Sequence, residues 1–579
     1  MQFIYEPDTL ITMSDGVKLC ANVWRPAKGK APTLLVRLPY GKDAIPVLSG
    51  DGALIPSLTA FLRAGYAIVM QDARGTFMSE GKFAAKVDDA VDGRETVEWI
   101  TRQPWSDGTV GGYGMSYFGM SQWASASEAP SALKAIVPTV AAMNWYDGLW
   151  YSPGGAMSLS VLNHWHALMY LFEAQREIAA GRGDVAELVE LAQLLNADML
   201  AQNATPPGLN PAFRRGRWLD GILAHPAYDD FWQEQDLIPA IPHMTVAPLC
   251  IGGWFDLFIN SSVTDFVKYR TGAATEEARE NARLLIGPWD HVSATGRYPD
   301  RDFGPSANAM SANLTGQHIR HFDRWLRGDT AANADDPRVR IFVMGIDQWR
   351  NEEDWPLPDT RYADYFLGGT GPANTSSGKG VLTLAEPKED RRDNFLFDPA
   401  RPVPTTGGAH LPVGHGFVGP VDQRRVDGRD DILCFATPVL ENDVEVVGFV
   451  RIKLFVSSSA VDTDFTVKLV DVFPDGRAIN LCDGILRMRY REGLSTPKMM
   501  TPGQIYDAEI DMGVTANVFR AGHRIRVDIS SSNFPRYDRN SNTGGFIAEE
   551  AEKDMIVAVN TVCHGPSFES RLILPVIER

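Results

Sequence analysis

The chain of 579 residues is 44% hydrophobic and 22% charged, the balance of an ordinary folded protein, and it is too long for a single core, so two to four domains are expected. A formal net charge of −18 argues against nucleic acid or an anionic membrane as a partner, because both select basic surfaces. Cys20, Cys250, Cys434, Cys482 and Cys563 are odd in number and show no C-x-x-C spacing, which favours buried reduced thiols over a disulfide framework or a zinc site.

Residues 1–146 alternate short apolar runs with helical stretches, the rhythm of a parallel βαβ sheet. The runs 33–36, 66–70 and 135–137 are apolar on both faces, as buried parallel strands are. Residues 58–64 read as a helix closed by Gly65. A second helix over 89–101 is expected to turn Val91, Thr96, Val97 and Ile100 inward. Then comes Gly114-Met115-Ser116-Tyr117-Phe118-Gly119, at the end of one apolar run and ahead of a helix-prone stretch at 120–129. A serine between small residues at such a junction is how an α/β-hydrolase exposes its nucleophile on a strand-to-helix elbow. The second glycine arrives one residue later than in the generic G-x-S-x-G, and taken alone the string is a weak signal.

From 147 to 240 helices follow one another without strands, the signature of a cap inserted over a sheet. Within this block Asp184 and Glu187 have capping-box spacing, and Val185, Leu188, Val189, Ala192 and Leu195 are spaced for one buried stripe. The strand rhythm resumes at 247–252, 283–287 and 339–344, within an expected second hydrolase segment of 241–353. Beyond 354 alternation replaces helical periodicity, as in 465–472 and 524–529, with turns rich in Gly, Pro and Asp. Residues 354–579 therefore read as a β-sandwich of jelly-roll type. No apolar run reaches the roughly 18 residues a membrane helix needs, and the first residues show no secretory leader, so the expected location is cytoplasmic.

A nucleophilic Ser116 needs a base, and the base an orienting acid, in the chain order Ser, Asp or Glu, His for this fold class. Two strand ends supply them: Asp256 closes Gly252-Gly253-Trp254-Phe255-Asp256, and His291 closes Gly287-Pro288-Trp289-Asp290-His291. Open α/β sheets place their sites at such carboxyl ends. Asp290 is the rival acid, but a residue adjacent to the histidine rarely faces its ring. The amide of Tyr117 is one candidate donor to an oxyanion. The loop at 37–42 lacks the H-G-G-G string that would supply another. There Tyr40 either offers its hydroxyl or packs on the sheet edge. Two metal-like strings are set aside: His164 and His166 diverge on a helix. Asp538, Asn540, Asn542 and Glu549 have near EF-hand spacing, but Thr543 stands where glycine is required.

The strings V-R-L-P-Y-G-K at 36–42, G-G-Y-G-M-S-Y-F-G at 111–119, G-G-W-F-D at 252–256 and G-P-W-D-H at 287–291 resemble the CocE/NonD serine hydrolases. That group holds cocaine esterases, α-amino acid ester hydrolases and X-prolyl dipeptidyl peptidases, and the likeness is nearest its cocaine-esterase members. It continues through 342–350, 457–465 and 531–545. The resemblance implies an α/β-hydrolase domain, a helical cap and a C-terminal jelly roll. It also implies a triad of Ser116, Asp256 and His291, an oxyanion hole of Tyr40 and the Tyr117 amide, and an acyl pocket lined by Trp150, Trp165 and Phe258. No cofactor or metal is implied. The implied activity is hydrolysis of small esters with a bulky or aromatic acyl group. Amide or peptide hydrolysis and carbohydrate binding by the jelly roll are the alternatives, and a homodimer is allowed. Residues 407–417 match the family poorly, so the loop facing the pocket is where substrate preference is expected to depart.

Overall fold

A computed structural model describes residues 2–44, 49–50, 52–84, 88–213, 217–412 and 418–579. Its first sheet has the strand order β1-β2-β4-β3-β5-β6-β7-β8-β9-β10. The strands are Phe3–Thr12 (β1), Lys18–Pro26 (β2), Ala31–Leu38 (β3), Ala67–Asp72 (β4), Ser106–Met115 (β5), Leu133–Thr139 (β6), Ala247–Gly253 (β7), Arg283–Gly287 (β8), Val339–Val343 (β9) and Gln348–Glu352 (β10). From β4 through β9 the pairings are parallel, and the outer pairs β1–β2, β2–β4 and β9–β10 are antiparallel. Strands β3, β4 and β7 are buried along their whole length. This is why they read as unbroken apolar runs rather than as alternation.

Between β6 and β7 the chain makes helices, chief among them Leu159–Ala179 and Val185–Asn196. They gather with the elbow residues Tyr117 and Met120 into one apolar cluster over the carboxyl ends of the strands. Two expected helix faces are corrected. In the helix Asp89–Thr101, Val91 is 42% exposed, while Asp89, Asp92 and Gly93 are buried with Thr96, Val97 and Ile100. The cause is ionic: Arg37 lies 3.3 Å from Asp89 and 3.6 Å from Asp92, and Arg74 pairs with Asp92 at 2.6 Å, so two carboxylates take the inner face. In the helix Val185–Asn196, Val185 and Val189 are 61% and 47% exposed, and the buried positions are Glu187 and Leu191. The Arg217–Glu187 pair at 2.6 Å turns that helix so that Leu188, Leu194 and Leu195 pack sideways against the cluster. Asp184 does cap it, accepting from the Ala186 amide at 2.9 Å.

Eleven strands between Thr360 and Ile577 form the second sheet system. They pair antiparallel except Gly380–Thr383 with Leu433–Ala436. It closes on the first sheet through the Met344 amide to Ala516 O at 2.9 Å and the Val518 amide to Met344 O at 2.8 Å. It also holds the cap from beneath. Arg487 joins Asp464 at 3.0 Å to Asp538 at 2.6 Å, its backbone N–H reaches Gly154 O at 2.9 Å, and Asp538 Oδ1 accepts from the Met157 amide at 3.0 Å. Asn540 donates to Asp462 and Asp464, so Asp538 and Asn540 of the calcium-like string serve a buried ionic network. All five cysteines are buried free thiols. Among the described residues no helix is long and apolar enough to cross a membrane.

Candidate active site

Ser116 sits between β5 and the helix Tyr117–Ser127 at φ 56° and ψ −130°, a backbone state that costs about 1–3 kcal/mol for a residue with a side chain. Its amide is pinned by Thr139 O at 3.0 Å and Val140 O at 3.2 Å, at the end of the neighbouring β6. The two glycines make the turn sterically feasible. A Cβ on Gly114, whose φ is 139°, would lie 2.2 Å from the Phe118 ring, and one on Gly119 would lie 2.7 Å from Ala141 Cβ. The glycine that arrives one residue late is thus the point where the elbow helix crosses the chain leaving β6.

The ends of β7 and β8 are tied by backbone bonds from the Trp254 amide to Gly287 O and from the Phe255 amide to Trp289 O, both 2.9 Å. They bring Asp256 and His291 together. Asp256 is 0% exposed; its Oδ2 lies 2.6 Å from His291 Nδ1, and its Oδ1 accepts from the Phe258 amide at 2.7 Å. His291 Nε2 lies 3.1 Å from Ser116 Oγ. Asp290 faces away and accepts from the Val292 and Ser293 amides, each at 2.8 Å, so the rival acid shapes the turn that carries His291. Burial pushes the Asp290 carboxyl up.

Tyr40 ends the segment that follows β3. The segment is anchored on both sides of the tyrosine: Arg37 donates to Gln71 and to Asp89 O, the Lys42 amide donates to Asp72 Oδ1 at 2.6 Å, and Lys42 Nζ pairs with Asp8 at 2.8 Å and Asp43 at 2.9 Å. The phenol oxygen accepts from Trp165 Nε1 at 2.9 Å. That leaves its own O–H available to an acceptor in the cavity that Tyr40 and Ser116 both line. Burial pushes its pKa up to about 12, ahead of the opposing influence of Trp165 and Ser116, so the phenol is a donor across the range in which proteins work. The amide of Tyr117 is among the leading N–H groups of the elbow helix, at its positive end.

These groups open into a cavity of about 520 Å³, within the range of small-molecule sites. Its wall is aromatic and aliphatic, with Trp145, Leu149, Leu168, Phe172 and Leu257 beside Tyr40, Trp165 and Phe258; no Asp or Glu lines it among the described residues. Trp165 and Phe258 both line the cavity, and the Phe258 ring lies 5.5 Å from that of His291. Trp150 does not line the cavity. It is 1% exposed and lies behind the wall, 5.3 Å from Trp165, 6.1 Å from Trp145 and 4.9 Å from His166, because the turn Tyr146–Trp150 directs Leu149 forward and the next residue back. Sequence reasoning missed Trp145, Leu149 and the stripe Val161, His164, Leu168, Phe172. That stripe has helical spacing on Leu159–Ala179 but cannot be told from a core face without knowing what stands opposite. His166 is buried against Leu162 O, whereas His164 lines the cavity, so the two histidines face apart. Of the poorly matching loop, Leu411 reaches the cavity, while residues 413–417 lie outside the described residues.

A strained elbow serine joined through histidine to a buried carboxylate, at the carboxyl edge of a mostly parallel sheet, defines a serine hydrolase of the α/β-hydrolase class. Residues 15–293 match the X-Pro dipeptidyl-peptidase (S15) family, and residues 331–573 match the X-Pro dipeptidyl-peptidase C-terminal non-catalytic domain. Over 575 residues, 99% of this chain and 98% of the other, the sequence is 47% identical to cocaine esterase of Rhodococcus sp. (strain MB1 Bresler). An α-amino acid ester hydrolase of known structure is 26% identical with a TM-score of 0.79, covering 99% of this chain and 96% of that one. A CocE/NonD family hydrolase from Staphylococcus aureus shares the fold at 20% identity and a TM-score of 0.72, covering 100% and 94% of the two chains. The chain belongs to the S15 family, among its CocE/NonD hydrolases.

Proposed function

We propose that this protein is a serine carboxylesterase that cleaves small esters with a bulky or aromatic acyl group. Ser116 Oγ attacks the ester carbonyl as His291 Nε2 takes its proton, and Asp256 holds the imidazole and offsets its charge. The Tyr40 hydroxyl and the Tyr117 amide receive the oxyanion, and Trp165 acts through Tyr40 by fixing the rotation of the phenol O–H. His291 returns the proton to the leaving alcohol. Water activated by the same imidazole then releases the acid and frees Ser116. In this reading residues 1–146 and 241–353 form the hydrolase unit, 147–240 the cap and 354–579 the β unit.

The observation that carries the reading is the run of contacts from Asp256 through His291 to Ser116, 2.6 Å and 3.1 Å long, at the edge of the 520 Å³ cavity. The wall of that cavity, free of carboxylates among the described residues, favours a neutral acyl group over an α-ammonium. The test is a panel of aryl esters set against aminoacyl and Xaa-Pro anilides. Faster turnover of the esters, with fluorophosphonate labelling abolished by Ser116→Ala, is expected. Faster turnover of the anilides would overturn the substrate class.

A further inference from the structure

On the cap helix Leu159–Ala179, one cavity-lining side chain is neither apolar nor engaged with the Ser116–His291 centre: His164. Its tautomer follows from its neighbour. Gln202 Nε2 donates to Ala197 O at 2.8 Å and to Leu195 O at 3.2 Å, so Gln202 Oε1 is the atom that faces His164 Nδ1 at 3.3 Å. A carbonyl oxygen only accepts, so Nδ1 carries the hydrogen. Burial lowers the pKa of the ring, which keeps it neutral near pH 7 and leaves Nε2 with a lone pair. That atom meets no hydrogen-bonding group among the described residues, and His164 is half-buried on the cavity wall. The Nε2 of the next histidine, His166, is by contrast sealed inside protein.

We infer that His164 is a specificity-determining residue, its Nε2 accepting a hydrogen bond from a hydroxyl or amine group carried by the bound ester. The inference rests on the esterase reading for the identity of the ligand. In an otherwise apolar wall, a substrate hydroxyl loses its water and must find an acceptor, or it is rejected. His164 supplies that acceptor. The site therefore takes hydroxy- or amino-substituted aryl esters in preference to their unsubstituted counterparts. Gln202 is a positioning residue, since its carbonyl decides which ring nitrogen presents the lone pair.

The test measures binding without turnover. Ser116→Ala is titrated with methyl benzoate and with its 2-, 3- and 4-hydroxy isomers, read by tryptophan fluorescence from Trp145 and Trp165. At least one isomer is expected to bind about three- to tenfold more tightly than methyl benzoate, the scale of one net hydrogen bond. With His164→Leu added, that advantage falls to one or below; with His164→Gln, which keeps an acceptor, part of it returns. With Gln202→Leu added, the ring is released to present N–H instead and the hydroxyl preference shrinks. The inference is overturned if no isomer outbinds methyl benzoate, or if the same preference survives His164→Leu. Failure of the esterase reading has a different signature, a folded wild-type protein with Ser116 in place that binds these esters and hydrolyses none of them.

Discussion

The sheet and the cap contribute to the site in different ways. Ser116, Asp256 and His291 stand on strand ends whose geometry is imposed by backbone: a positive φ, amide bonds across β5–β6 and β7–β8, and glycines that a Cβ would block. The cap contributes by side-chain packing, through a helix whose Val161, Trp165, Leu168 and Phe172 form a wall supported from behind by Trp150. The proposed reacting centre is thus fixed by the backbone. The side chains of the wall meet the cavity through apolar and ring packing, and it is the part that can change without undoing the chemistry. Within the wall Trp165 differs, because its indole N–H crosses from cap to sheet to reach Tyr40.

Breaking the sheet-borne half should cost most. Asp256→Asn is expected to lower kcat by about 10⁴-fold with little change in thermal stability, because the amide fits the space but presents the wrong partner to His291 Nδ1. Rapid kinetics on an aryl ester at saturating concentration checks it. Tyr40→Phe removes one oxyanion donor and should lower kcat by about 10²- to 10³-fold. Trp165→Phe keeps an aromatic ring in the wall but loses the N–H, and should lower kcat by about three- to tenfold. The double variant sharpens the contrast between cap and sheet. If Trp165 acts through Tyr40, adding Trp165→Phe to Tyr40→Phe costs nothing further in kcat; if it acts only as wall, the two losses multiply.

The smallest effect lies at the seam between the halves. Asp265, buried on the helix Ile259–Gly272, accepts from the Met143 amide at 2.7 Å where the chain leaves the sheet for the cap, and burial pushes its pKa up to about 7. A raised folded-state pKa means that its contribution favours folding below the ordinary carboxylate range and is lost as pH rises through about 7. The Tm of the wild type minus that of Asp265→Asn should therefore decline from pH 5 to pH 8. A difference that stays flat would show that the carboxyl titrates normally.

The same contrast governs what could be read from the residues. Ser116, Asp256 and His291 were legible because a strand end, a glycine and a reactive side chain fall together in a short string, and the family likeness then added Tyr40, Trp165 and Phe258. The cap resisted, since a stripe of apolar residues on a helix gives its phase without its opposite number. Trp150, which the family likeness sets in the pocket, lies one layer behind the wall against Trp165. Val91, Val185 and Val189, spaced to face inward, are exposed instead because buried Asp89, Asp92 and Glu187 take the inner faces through Arg37, Arg74 and Arg217, pairings that join residues far apart in the chain. His164 resisted for a further reason. Its role depends on a glutamine 38 residues away whose own amide is committed to backbone carbonyls.

The most direct test of the central claim is intact-protein mass spectrometry on reaction mixtures quenched in acid during turnover of an aryl ester, followed by peptide mapping. A species heavier by one acyl group is expected, with the adduct on the peptide containing Ser116 and absent from Ser116→Ala. An adduct mapped to another residue, or undiminished turnover by Ser116→Ala, would contradict it.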